Sequence, residues 1–372
     1  MRKIRILVVD DSVVIRRMLT DALVVDPLLE VAGSAPNGRI ALARIPQVNP
    51  DVVTLDIEMP EMDGLETLAA IRKTYPRLPV IMFSTLTERG ASATLDALTL
   101  GANDYVAKPS NVGSASKAIE AIQQDLVPKI KACCPSLAAA EVFRPRTAPQ
   151  PSVRTPIPSR LRPSGRVDIV AIGVSTGGPN ALSVVLPQLP ADFPVPVVIV
   201  QHMPPLFTKF LAERLKSKSR ITVEEGSQKQ FLCPSQAWIA PGDFHMIVER
   251  QGTAVRLATH QGPHENSCRP AVDVLFQSVA QVYGPNTLGV VMTGMGKDGL
   301  RGAERIKEIG GQVIVQDEAS SVVWGMPGFV AGAGLADKVL PLDQLAGEIV
   351  RRVCEGRPLR PPVSVMPLPR NS

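Results

Sequence analysis

Asp10 and Asp11 close one apolar run, Ile6-Leu7-Val8-Val9, and Asp56 closes another, Val52-Val53-Thr54-Leu55. If both runs are parallel strands, their carboxyl ends share an edge and the three carboxylates converge. Three unpartnered acids repel each other. A hard divalent cation relieves the repulsion, and Mg²⁺ suits an all-oxygen donor set. A carboxylate beside such a cation can accept an incoming phosphoryl group. Ser84 and Lys108, the latter ahead of Pro109, end two further apolar runs. They would bring a hydroxyl and an ammonium to the same edge, and the ammonium can pair with phosphate oxygens.

A different chemistry is spelled downstream in Gly173-Val174-Ser175-Thr176-Gly177. Glycines flanking a serine allow a sharp strand-to-helix turn that lifts its hydroxyl above a sheet. A serine hydroxyl needs a base to become a nucleophile at neutral pH. Of the four histidines, only His202 directly follows an apolar run, Val197–Gln201. Asp298 follows a third run, Leu288–Thr293, and would orient the imidazole. Ser175 would attack a carbonyl, His202 would take and return the proton, and Asp298 would stabilise the charged ring. The backbone N–H groups of Thr176 and Met295 are the candidates for holding the oxyanion.

Each element has a plainer reading. Strand-end aspartates cap helices, as Asp11 could ahead of Ser12–Leu23 and Asp298 ahead of Leu300–Ile309. The glycine-rich turn could cradle a nucleotide phosphate, although the GxGxxG spacing is missing. His245, His260, His264 and the five cysteines read as structural. Arg269 is a candidate substrate neighbour.

These residues are positioned by two runs of strand–helix alternation. The first has strands at Ile4–Val9, Leu29–Ala35, Val52–Leu55, Pro79–Phe83 and Asp104–Ala107. Ser12–Leu23 and Gly64–Lys73 are examples of the helical patterns between them. Such alternation predicts a five-stranded, doubly wound parallel α/β sheet over residues 1–125. Residues 167–354 repeat the alternation, with near-continuous apolar runs at Asp168–Ile172, Val195–Val200, Thr287–Met292 and Gln312–Val315. Ala237–Val248 reads as two short strands about Pro241-Gly242, a small antiparallel insertion in this second doubly wound α/β domain. Between the domains, residues 131–166 form a linker with six prolines from Pro145 to Pro163. Residues 355–372, again rich in proline, read as a disordered tail.

At 372 residues the chain has room for two full cores. Its formal net charge of +5 is matched by five arginines in residues 144–165, a stretch without lysine or acid. The folded parts are therefore balanced in charge, which argues against nucleic acid as a partner. No apolar run approaches the roughly 20 residues of a spanning helix, so the protein is not expected to be integral to a membrane. No signal-peptide pattern or CxxC spacing is present, and a cytoplasmic location is expected.

Residues 1–125 resemble a response-regulator receiver domain on Asp10, Asp11, Asp56, Met59-Pro60, Asp63-Gly64, Ser84, Tyr105 and Lys108-Pro109. The resemblance implies that Asp56 accepts phosphate from a histidine kinase. It also implies that Asp10, Asp11, Asp56 and the main-chain carbonyl of Glu58 hold Mg²⁺, and that Ser84, Tyr105 and Lys108 form the switch. Residues 167–345 resemble the chemotaxis protein-glutamate methylesterases (CheB). The matching stretches are Ile172–Pro179, Gln201–Pro204, Ile239–Gly242, Arg269–Phe276, Met292–Gly299 and Trp324–Pro327. Ala271 stands where that family usually has serine. The resemblance implies hydrolysis of glutamate methyl esters on chemoreceptors, deamidation of receptor glutamines, and no metal in the hydrolytic step.

Overall fold

A computed structural model describes residues 2–109, 115–134, 165–355 and 357. Residues 135–164 of the expected linker, and the expected tail apart from residues 355 and 357, lie outside the described residues.

The first sheet has five parallel strands in the order β2-β1-β3-β4-β5. They are β1 Ile4–Val9, β2 Leu29–Ala35, β3 Val52–Asp56, β4 Val80–Ser84 and β5 Asp104–Ala107. Every residue of β3 and β4 is buried, as expected of central strands covered by helices on both faces. The chain leaves β1 in opposite directions to reach β2 and β3, so a topological switch point opens between β1 and β3. A crevice forms at such a point beyond the carboxyl ends of the strands. Asp10 and Asp56 flank it.

Local signals set the helices. Helix α1 (Val13–Leu23) is capped by Ser12, whose hydroxyl accepts from the Ile15 N–H, rather than by Asp11, which stays exposed. Helix α2 spans Gly38–Val48. Helix α3 (Gly64–Thr74) begins in a reciprocal box between Asp63 and Glu66, which satisfies two otherwise orphaned N–H groups. Helices α4 (Glu88–Thr99) and α5 (Ala115–Cys133) complete this half. Helix α5 runs on past residue 125 and takes up the first residues read from the sequence as linker.

The second sheet has seven strands, all parallel, in the order β14-β13-β12-β6-β7-β9-β8. Its central strands are β6 Ile169–Val174, β7 Val197–Gln201 and β12 Thr287–Val291. The outer ones are β8 Thr222–Glu225, β9 Gln236–Ile239, β13 Gln312–Gln316 and β14 Lys338–Leu340. The chain goes from β6 to β7, on to the edge strand β8, back to β9 between them, and then crosses to β12 on the other side of β6. The switch point lies between β6 and β12.

An antiparallel insertion is present, but it differs from the one expected. Strands β10 (His245–Gln251) and β11 (Ala254–His260) form it, in register from His245↔His260 to Gln251↔Ala254. Residues 237–239 belong instead to β9, which pairs in parallel with both β7 and β8.

The two halves share one core. Leu95 and Leu98 of α4 belong to the same buried cluster as Phe207 and Leu211 of the second half. Polar contacts frame this junction. The Asn180 side chain donates to the Leu98 carbonyl at 2.8 Å, and Arg214 pairs with Asp96 at 2.6 Å.

Candidate active site

The phosphorylation candidates meet at the first switch point. Ligand atoms of Asp10, Asp11 and Asp56 lie within 4.8 Å of one another. Lys108 Nζ sits 3.0 Å from Asp10 Oδ2 and 2.8 Å from Asp56 Oδ1. Burial pushes the Asp56 carboxyl up to about 6, against the pull of Lys108 and the Glu58 N–H and with a further push from Asp10. Burial likewise raises Asp10, with Lys108 opposing it. The second oxygen of Asp56 is buried and accepts no hydrogen bond among the described residues. An oxygen-only donor set with an unsatisfied carboxylate oxygen fits a small hard cation. Ser84, at the end of β4, is buried, and its hydroxyl donates to the Gly90 carbonyl at 3.2 Å. Glu58 is exposed and faces Arg89 at 3.6 Å.

Ser175, His202 and Asp298 come to the second switch point from the ends of β6, β7 and β12, three adjacent strands. Ser175 follows β6 directly, and its N–H donates to the Thr293 carbonyl at 3.0 Å. The turn then passes through Gly177 at φ +77°, where a Cβ would lie 2.6 Å from the Val322 side chain. Only glycine fits both the left-handed backbone and that gap. Helix α6 (Gly178–Val185) starts at once, so the serine sits above its N-terminus. On the other flank Gly294 approaches so closely that its Cβ would lie 2.8 Å from that of Ser175.

His202 Nε2 meets Asp298 Oδ2 at 2.8 Å. Asp298 is buried and densely hydrogen-bonded. Its Oδ2 also accepts from the Val272 N–H at 2.7 Å. Its Oδ1 accepts from the N–H groups of Asp273 and Gly299, both at 3.0 Å, and from Asn266 Nδ2 at 2.9 Å. Burial alone would raise Asp298, but His202 and these donors outweigh it and hold the carboxyl below the usual range. Conversely, burial pulls His202 down, while hydrogen bonds to Asp298 and Cys268 more than compensate and raise it to about 10. The contact on His202 Nδ1 is Cys268 Sγ at 3.7 Å.

Sequence reasoning missed three residues of this site. Asn266 Nδ2 bridges Asp298 and Asp273 Oδ2, the latter at 2.8 Å. Asp273 is itself buried, and its Oδ1 accepts from the Gly299 and Gly302 N–H groups at 3.0 and 2.7 Å. It clamps the loop that carries Asp298 to the start of helix α8 (Val272–Tyr283). An acid inside the otherwise apolar Val272-Asp273-Val274-Leu275-Phe276 was the available signal. Cys268, read as structural, lies against the candidate base.

Ser175, Thr176, His202, Cys268, Arg269 and Met295 line one cavity of about 640 Å³. Tyr105, Gln124, Asp125 and Lys129 of the first half line it too, so the first domain forms part of the walls over the serine. Lys129 donates to the Tyr105 carbonyl at 2.7 Å and pairs with Asp125 at 2.8 Å. Arg269 is committed to Asp243, to which its Nε donates at 2.9 Å. His245 hydrogen-bonds the Pro263 carbonyl and receives the Ala271 N–H, a structural role.

Comparison with known proteins agrees with both halves. Residues 170–349 match the family described as CheB methylesterase, and residues 6–120 match the response regulator receiver domain. A protein-glutamate methylesterase/protein-glutamine glutaminase of Trichodesmium erythraeum is 58% identical over 95% of this chain and 100% of its own length. One from a Nocardioides species is 51% identical, covering 98% of this chain and 99% of the relative. The solved CheB methylesterase catalytic domain of Thermotoga maritima is 44% identical, with a TM-score of 0.49, over 50% of this chain and 98% of that one.

Proposed function

The chain belongs to the CheB family of receiver-regulated methylesterases and glutaminases, and from that premise we propose that Ser175, His202 and Asp298 carry its hydrolytic chemistry. The reaction is hydrolysis of glutamate methyl esters on chemoreceptors, with deamidation of receptor glutamines, in chemotaxis. The observation that carries the triad is the 2.8 Å contact between His202 Nε2 and Asp298 Oδ2 in the cavity that also holds Ser175.

With Nε2 held by Asp298, Nδ1 is the ring nitrogen left to accept the serine proton. Ser175 Oγ attacks the γ-carbonyl carbon as His202 takes its proton. The oxyanion of the tetrahedral intermediate rests on the backbone N–H groups of Thr176 and Met295. His202 then protonates the leaving methoxide, and methanol departs. Water repeats the sequence on the acyl-enzyme, releasing glutamate and restoring Ser175. With a glutamine substrate the leaving group is ammonia and the remaining steps are the same. The chemistry balances without a metal in this step.

Control is assigned to Asp56. Asp10, Asp11, Asp56 and the Glu58 carbonyl would hold Mg²⁺, which when bound would offset the charge of the carboxylates beside an incoming phosphoryl group. Asp56 attacks the phosphorus of a kinase phosphohistidine and the P–N bond breaks. Lys108, now paired with Asp56, turns to the phosphate oxygens. Ser84 leaves the Gly90 carbonyl to do the same. Gly90 lies in the first turn of α4, and the far end of α4 bears Asp96 and Leu98, which hold Arg214 and Asn180 of the hydrolase half. The switch is thus joined by one helix to the domain junction, and Tyr105 lies on the cavity wall itself. Loosening that junction uncovers Ser175.

The partners are a histidine kinase of the chemotaxis type and the cytoplasmic helices of methylated receptors, which place the enzyme in the cytoplasm. No described helix is long and apolar enough to cross a membrane. A fluorophosphonate ester tests the triad directly. Mass spectrometry should find the adduct on Ser175, labelling should collapse in His202→Gln, and a small phosphodonor with Mg²⁺ should speed it. Labelling elsewhere, with Ser175 untouched, would refute the assignment.

A further inference from the structure

We propose that His202 Nδ1 and Cys268 Sγ form a binding site for a borderline-soft divalent cation, Zn²⁺ in the first instance, and that occupancy stops hydrolysis. The inhibition rests on the reading of His202 as the base; the binding site does not.

The two atoms are 3.7 Å apart. In a tetrahedral zinc site, Zn–N bonds of about 2.0 Å and Zn–S bonds of about 2.3 Å put neighbouring nitrogen and sulfur ligands roughly 3.5 Å apart. The pair therefore already spans one edge of such a tetrahedron. The other ring nitrogen is fixed as zinc-binding histidines require. Nε2 bonds Asp298 Oδ2 at 2.8 Å, the carboxylate–histidine arrangement that sets the ring and leaves the opposite lone pair for a metal. Asp298 is itself held by three backbone N–H groups and Asn266, so the ring has little freedom to turn away.

Both ligands line the cavity beside Ser175, which leaves the remaining coordination positions to water or to the serine hydroxyl. Binding requires the Cys268 thiolate and a neutral His202, so it displaces the proton on the raised imidazole as well as that on the thiol. The metal then occupies the lone pair that would take the proton of Ser175.

The chain thus separates two cations by donor hardness. Asp10, Asp11 and Asp56 offer oxygen alone, whereas His202 and Cys268 offer nitrogen and sulfur, to which Mg²⁺ binds poorly. One cation supports activation, and the other blocks the reaction.

The test uses the full-length chain with a non-chelating phosphine reductant. Co²⁺ serves as probe, because a cobalt–thiolate bond absorbs in the near ultraviolet, and Zn²⁺ affinity is read by competition with a chromophoric chelator. One equivalent of Co²⁺ should give the thiolate band, and excess Mg²⁺ should leave it intact. Cys268→Ser should abolish the band, whereas replacing the exposed Cys233 and Cys354 by serine should keep it. Zn²⁺ affinity should fall about tenfold or more in Cys268→Ser, and the Zn²⁺ concentration that halves ester hydrolysis should rise with it. A band that survives Cys268→Ser, or an unchanged Zn²⁺ midpoint in that variant, overturns the site. Cys268-dependent binding that leaves hydrolysis untouched overturns the inhibition and, with it, His202 as the base.

Discussion

Tyr105 of the receiver half and Phe207 of the hydrolase half stack ring on ring, with centroids 4.9 Å apart and planes 9° from parallel. An offset or stacked aromatic pair is worth about 0.5–1.5 kcal/mol beyond its buried area. Tyr105 also lines the cavity that holds Ser175, so the ring that joins the domains is part of the wall beside that serine.

Weakening that junction should free the enzyme from its signal. Arg214→Glu places like charges where Arg214 now meets Asp96. The pair is partly exposed, so stability should change by no more than about 1 kcal/mol. Methanol release without a phosphodonor should rise several-fold, and the further gain on adding one should shrink. An unchanged basal rate would argue against the receiver as a cover.

Asp273 and Asn266 touch Asp298 and its loop rather than Ser175, so they act by positioning. Asn266→Ala leaves one Asp298 oxygen and one Asp273 oxygen short of a donor. We expect kcat to fall about tenfold to a hundredfold with KM little changed, since a misplaced orienting group weakens the transition state more than substrate binding. Asn266→Asp, which keeps the size but adds a third carboxylate, should be worse than alanine. Steady-state kinetics on both variants decide this.

The protonation of His202 sets a pH signature. A base with its pKa raised to about 10 is charged at neutral pH and becomes able to accept a proton only as pH rises. Residual hydrolysis by the unphosphorylated enzyme should therefore climb on the alkaline side. Cys268→Ala removes one contact that helps hold the ring proton, so the rising limb should move to lower pH. Initial rates on a soluble methyl ester measure this, and a profile flat above neutrality would contradict it.

A second pH effect concerns stability alone. Glu348, on helix α11 (Leu342–Cys354), accepts from Arg351 at 2.8 Å and Arg352 at 2.7 Å, and lies 3.1 Å from Lys338. The Arg351 bond, opposed by burial and reinforced by Arg352 and Lys338, holds its carboxyl far below the ordinary value of 4.5. A depressed carboxyl stabilises the fold above its unfolded pKa, and the benefit fades as pH falls below that value. Glu348→Ala leaves the buried Arg352 with only Gln312 at 2.6 Å and Asp337 at 3.8 Å, and should cost about 1–3 kcal/mol at neutral pH. Thermal melts of variant and wild type should draw together as the pH is lowered through that range. A gap that stays constant would refute the linkage.

The sequence was most informative at strand ends. Apolar runs followed by Asp10, Asp56, Ser175 and His202 fix where each parallel strand stops, and the two switch points then gather those residues at the same sheet edges. What escaped depends on loops. Asn266 sits at φ +51° in a segment without periodicity, and nothing in its neighbours says that it will reach Asp298. Cys268 reaches His202 only because the loop ahead of α8 folds across the end of β7. Strand β9 was misread for a related reason. Ala237–Ile239 stands next to Pro241-Gly242 and looks like half of a hairpin, yet Val197–Ile199 and Val223–Glu225 pair with it from both sides. The shared core between the halves was hidden because α4 reads as an ordinary amphipathic helix, with no mark of which neighbour it will meet.

The most direct test of the whole account is labelled methanol release from methylated receptor membranes. Wild type, Ser175→Ala and Asp56→Asn are compared with and without a small phosphodonor and Mg²⁺. The account predicts no release above background from Ser175→Ala, stimulation of wild type by the phosphodonor, and an Asp56→Asn rate that the phosphodonor does not change. Undiminished release from Ser175→Ala, or equal stimulation of Asp56→Asn, would contradict it.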